Sequence, residues 1–194
     1  MSRRQRPAKA GVQALPAASP YAALAMTLLQ TQFAALARYN RWMNERLYAL
    51  AEMVGEEQRR RDLGAFFGSI HRTLGHLLLA DRIWLGRFGA WDAVTPASLA
   101  AELCPVFADL RRERGTTDDA IDVYVAALDD TRLAAPLRYL RAGQTIEEPL
   151  WWVVGHFFNH QTHHRGQVTT LFKQLGHDPG VTDLIAMLRD ESVP

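Results

Sequence analysis

With 194 residues, 48% of them hydrophobic and 22% charged, the chain can bury the core of one ordinary globular domain. Its 22 basic and 21 acidic side chains leave a formal net charge of +1, so no global field argues for binding to nucleic acid or to a membrane surface. Cys104 is the single cysteine, which excludes an intramolecular disulfide and a multi-cysteine zinc cage; with Leu103 and Val106 beside it, it reads as a buried or inert thiol.

Residues 1–20 hold four basic residues and three prolines with little apolar periodicity, the composition of a flexible extension ahead of a domain at 21–194. The stretch AGVQALPAASP is too polar and proline-broken for the apolar core of a secretion signal, and no run reaches the ~18 apolar residues of a membrane span. A cytoplasmic protein is expected. From Tyr21 to Met53 alanine and leucine recur at helical spacing with no internal Gly or Pro, which predicts a long first helix ending near Gly55.

A second helix is expected from Leu63 to Phe88. Ser69, Thr73, His76, Ala80 and Trp84 share one of its faces, while His71 lies on another with several glycines. A third should run from Ser98, a suitable N-cap, to Leu128, with a possible kink or new cap around Gly115, Thr116 and Thr117. From Pro136 to Glu147 two short runs flank Ala142 and Gly143, the pattern of a small hairpin. Asp178, Pro179 and Gly180 carry turn chemistry, and a last short helix is expected over Thr182 to Arg189.

The richest stretch, Trp151 to Leu175, holds four of the seven histidines and reads as one helix between Pro149 and Gly176. At about 100° per residue His160 and His164 fall on the stripe of Val153, Phe157, Leu171 and Leu175, which should face the core; His156 and His163 lie at its edge. One histidine on an apolar face is more often an ordinary core residue than a ligand. Two at i and i+4 bring their imidazoles to one point, the spacing of helical metal sites, so a third ligand must come from elsewhere. His76 is the better candidate than His71, because it shares the Trp84 face of its helix.

Four long helices, an inserted hairpin and a short terminal helix indicate an all-α four-helix bundle, in which metal sites are built from side chains on facing helices. The sequence contains no dinucleotide or phosphate-binding glycine motif, no nucleophile elbow and no Cys-x-x-Cys pair. The neighbouring carboxylates Asp118–Asp119, Asp129–Asp130 and Glu147–Glu148 read as solvated or capping charges.

Three stretches, LARYNRWMNERL at 36–47, HLLLADRIWL at 76–85 and NHQTHHRGQVTTLFKQLGHDPGVTDL at 159–184, resemble the DinB/YfiT-like metalloenzyme family. The His-x-x-x-His-Arg-Gly-Gln pattern at 160–167 is the most specific of them. The resemblance implies an up-down-down-up four-helix bundle, often a homodimer, with a divalent ion such as zinc or nickel held by His76, His160 and His164. Better-understood relatives are metal-dependent transferases of low-molecular-weight thiols, and others are isomerases with thiol cofactors.

A metal-dependent transferase or hydrolase acting on a small substrate is therefore expected, with water or a cofactor thiol on the metal. The alternative is a non-catalytic, stress-associated homodimer whose ion is structural. Gln167 returns close to the histidine stripe and could orient a ligand imidazole; Arg165 lies off it and reads as a surface or inter-helix ion pair. Tyr39, Asn40, Trp42 and Asn44 could line or support the pocket. Metal binding should weaken as pH falls through the ordinary histidine pKa of about 6.5. The homodimer would form through apolar residues on the outer faces of the first and third helices, Tyr21, Leu28, Phe107, Val123 and Val125.

Overall fold

The structure, a computed structural model, describes residues 20–189, and side chains from residue 28 onward. Apart from Pro20, the expected N-terminal extension lies outside the described residues, as does the Tyr21 side chain. Among the described residues seven helices and one hairpin follow in order: α1 Pro20–Met53, α2 Gly55–Arg60, α3 Ile70–Arg87, α4 Phe107–Ala126, α5 Asp130–Ala134, β1 Pro136–Arg141, β2 Gln144–Pro149, α6 Leu150–Gln174 and α7 Leu184–Arg189. The fold is all-α, with four long helices, α1, α3, α4 and α6, forming the bundle.

Two apolar clusters fix the helix directions. One joins Met43 and Leu47 of α1, Leu74 and Leu78 of α3, Leu110 of α4 and Leu171 and Phe172 of α6. The other joins Phe33 and Ala37, Leu85, Ile121 and Tyr124, and Val153 and Phe157 from the same four helices. The early part of α1 thus meets the late parts of α3 and α4 and the early part of α6. That is an up-down-down-up arrangement, and each fully buried Leu or Phe in it contributes about 1.5–3 kcal/mol of transfer free energy.

Backbone chemistry explains where the elements differ from the sequence expectation. The second bundle helix begins at Ile70, not Leu63, because Gly64 and Gly68 adopt φ of +73° and +81° and close a tight turn that no right-handed helix can contain. Ser69 then caps the helix, its side chain accepting from Arg72 N–H. The third bundle helix begins at Phe107, not Ser98: Pro105 lacks an N–H and disfavours helical geometry at Cys104. No kink forms at Gly115. Thr116 and Thr117 donate their hydroxyls to the carbonyls of Arg112 and Glu113 four residues earlier, and α4 runs through.

The hairpin pairs Pro136 with Pro149 through to Arg141 with Gln144, antiparallel. Its two turn residues, Ala142 (φ 49°) and Gly143 (φ 78°), are both left-handed, as a two-residue turn matched to strand twist requires. Tyr139 is its one buried residue and packs edge-on against Trp84 of α3. At the far end of α6, Gly176 (φ +82°) lets His177 N–H reach back to the Phe172 carbonyl and close the helix.

Phe107 and Val125, assigned from sequence to an outer face, are 6% and 4% exposed and belong to the core. Leu28 and Val123 remain exposed at 60% and 71%. No helix among the described residues is long and apolar enough to cross a membrane.

Candidate metal centre

Residues four apart on a helix stand one above the other, so α6 stacks His160 and His164 on one face, and antiparallel α3 brings His76 against them. The Nε2 atoms of His164 and His160 are 3.1 Å apart, and those of His76 and His160 are 3.4 Å apart. One nitrogen from each of the three lies within 4.8 Å of the others, a group that could hold a metal ion. Tetrahedral ligation at about 2.0–2.1 Å sets nitrogens roughly 3.3 Å apart, so the cluster is already close to that spacing.

Each outer histidine is turned by a partner behind it. His76 Nδ1 lies 2.8 Å from the carbonyl of Leu99, and His164 Nδ1 lies 2.8 Å from Gln167 Oε1. Both partners accept, which puts the proton on Nδ1 and leaves the Nε2 lone pairs aimed at the common point. The Gln167 amide nitrogen faces His163 Nε2 at 3.3 Å, consistent with that orientation. Phe67, from the turn before α3, stacks on the His76 ring at 4.0 Å and meets His164 edge-on, excluding water from one side.

With His76 and His164 protonated on Nδ1, the N–H of His160 Nε2 is the one donor the neutral cluster can place between two acceptors. Burial holds His76 and His164 below the ordinary histidine pKa, and burial together with the charges its four histidine neighbours would carry pushes His160 down to about 3. The metal-free imidazoles therefore stay neutral, and competent to ligate, to lower pH than an ordinary histidine, so the pH at which protons displace a metal lies lower than the unperturbed value suggests.

The other side of the cluster opens into a cleft of about 880 Å³. Its walls come from α3, α6, β1 and the 93–99 segment, and they include His76, His160, His156, Trp84, Arg87 and Arg141. Among the described residues no Cys, Asp, Glu or further His completes the three-histidine group. A bound ion would have protein nitrogens on one side and the cleft on the other.

The remaining histidines are held elsewhere. His71 is fully buried, its Nε2 3.0 Å from both the Cys104 carbonyl and a Glu102 oxygen. His156 packs on Trp84 at the cleft wall, and His177 meets Gln58 at 2.9 Å. Cys104 is a buried free thiol whose pKa is raised by burial.

Sequence reasoning missed a second buried polar group. Arg114 ion-pairs with Asp81 at 2.6 Å and with Asp118 at 2.9 Å; Gln161 donates to Asp81, and Asn40 and Asn44 donate to Asp118. Arg165 is 3% exposed, not at the surface, and donates to Asn40 Oδ1 without a carboxylate of its own. Burial pushes its pKa down to about 10. Asp118 is accordingly neither solvated nor a cap, whereas Asp129 does cap α5. Asn40 and Asn44 thus belong to this layer; Tyr39 lines a separate cavity of about 550 Å³ between α1 and α6, and Trp42 stacks under Arg46. The available signal was the offset of five residues between His76 and Asp81 and the i, i+4 pair Arg114 and Asp118, which single helix faces do not reveal as partners.

No solved structure matches the chain. A curated relative, "Protein DinB" of Bacillus subtilis (strain 168), is 23% identical over 157 residues, covering 76% of this chain and 88% of its own. The DinB family model matches residues 27–191, and the chain belongs to the DinB family.

Proposed function

We propose that the chain is a metal-dependent enzyme whose His76, His160 and His164 hold one divalent ion, zinc or nickel, through their Nε2 atoms. The observation that carries this reading is the convergence of three imidazoles with Nε2 atoms 3.1 and 3.4 Å apart, where a neutral cluster has at most one inward N–H, that of His160, for the two acceptors of His76 and His164. When bound, such an ion acts as a Lewis acid and lowers the pKa of a thiol or water. Leu99 and Gln167 hold the tautomers, Phe67 shields one side, and the cleft admits a small substrate on the other.

The access from the cleft, with no fourth protein ligand among the described residues, supports catalysis over a purely structural ion. Within catalysis, transfer of a small thiol to an electrophile and hydrolysis use the same site, and Cys104 serves neither as nucleophile because it is buried beside His71. The test is metal analysis of untagged protein followed by turnover assays with low-molecular-weight thiols: one ion per chain with thiol-dependent turnover supports transfer, and metal-free protein that takes up no added zinc rejects the reading. A homodimer through the exposed Leu28 and Val123 faces of α1 and α4 is part of the proposal, and a monomer mass of about 22 kDa by light scattering would reject that part.

A further inference from the structure

The cleft beside the histidines is lined by three arginines, Arg87, Arg138 and Arg141, and by no aspartate or glutamate. This is a local imbalance in a protein whose charges otherwise cancel to +1. Arg87 of α3 packs into the corner made by two rings that meet edge-on, its guanidinium 4.4 Å from the centroid of Trp84 and 4.7 Å from that of Tyr139. Among the described residues neither the Arg87 nor the Arg141 side chain has an ion pair or a hydrogen bond. The acids of β2 are already engaged, Glu147 by Arg138 and Glu148 by the Tyr139 hydroxyl. Burial, and the nearby charge of Arg141, hold the Arg87 pKa below its ordinary value, so a counter-charge is missing here.

A planar fork of five N–H donors, fixed by stacking and facing a cavity, matches a carboxylate or phosphate oxygen pair. We infer that the cleft binds the oxyanion of a small ligand, with Arg87 as the anchor and Arg141 as the second cation, so that the rest of the ligand lies along the wall toward His160 and His76. Arg138 is excluded as an anchor because Glu147 holds it. The stated purpose of the anchor rests on the metal-enzyme reading; anion binding by itself does not require the metal.

The test uses the arginine side-chain Nε–H signals of the full chain, metal-free and after one equivalent of zinc, titrated with propionate, methyl phosphate and 1-propanol. The Arg87 signal is identified by its loss in Arg87→Lys. The expected result is a saturable shift of Arg87 with an anion, no shift with propanol, and at most a tenth of that affinity at exposed Arg61. Whichever of propionate and methyl phosphate binds more tightly names the ligand class. Arg87→Gln should lower anion affinity at least tenfold by calorimetry, with zinc content and thermal midpoint unchanged. An Arg87 signal that responds no more than Arg61, or equal affinity in Arg87→Gln, overturns the inference. A response that persists in protein unable to take up zinc sustains the anion site and rejects the metal reading, whereas stoichiometric zinc with a silent Arg87 does the reverse.

Discussion

Two polar groups interrupt the apolar interior of the bundle, and they share a helix: Gln161 and Arg165 of α6 belong to one, His160 and His164 to the other. In the ionic layer the carboxylates of Asp81 and Asp118 meet Arg114, and amides fill their remaining lone pairs. In the histidine cluster the Nδ1 atoms of His76 and His164 are satisfied, and their inward Nε2 acceptors share at most one donor, the N–H of His160. A layer whose carboxylates are closed off by donors, with the Nε–H groups of Arg114 and Arg165 left over, ties four helices into one register; a cluster with more inward acceptors than donors is what a cation requires. The difference lies in stoichiometry of donors, not in burial, since His76 and His164 are 5% and 8% exposed and have at most one N–H for their two inward lone pairs.

The sharpest way to break the comparison is to unbalance the closed layer. Arg114→Met should strand two buried carboxylates and cost about 3–5 kcal/mol in urea unfolding, whatever the metal content. A loss under about 1 kcal/mol would mean the layer is already neutral in the folded state. The opposite behaviour is expected of His160→Ala: most bound metal lost by elemental analysis, with metal-free stability changed by only about 0.5–1.5 kcal/mol, because one shared imidazole–imidazole hydrogen bond is all that disappears. His164→Ala should also remove most of the metal, while His71→Ala and His177→Ala should leave it in place. Stoichiometric metal at neutral pH in His164→Ala would require a different ligand set, such as one built from His156 and His160.

A smaller effect tests the shell behind the ligands. Gln167→Ala should weaken metal affinity by about 10–100-fold in a chelator competition, leaving stoichiometry at one. The smallest effect is on pH. His160 titrates at about 3 in the folded chain and near the ordinary value once unfolded, so between those values the unfolded chain carries the extra proton. Metal-free stability should be intact above about pH 6.5 and fall below it, by up to about 1.4 kcal/mol per pH unit for each such histidine. The window from pH 6.5 to 5 precedes carboxylate titration, and urea midpoints there should slope less steeply in His160→Ala than in the parent chain.

By sequence alone the long periodic elements were determined: α1 and α6 appear within a residue of their expected ends, since uninterrupted apolar spacing with Pro149 and Gly176 at its borders leaves a helix few alternatives. The i, i+4 spacing placed His160 and His164 on one face, and the hairpin turn at Ala142 and Gly143 was visible in its residue types. What depended on packing was not legible. Reading 98–128 as helix hid the Leu99 carbonyl, which is free to accept from His76 only because Pro105 delays the helix to Phe107. The five-residue α5 and six-residue α2 are too short to carry a period. Charge showed the same limit: a net +1 concealed both the carboxylates of the ionic layer and the gathering of Arg87 and Arg141 at one cleft, because they come from different elements. Periodicity reports which way a side chain points from its own axis; only the crossing of α3, α4 and α6 with β1 decides what it meets there.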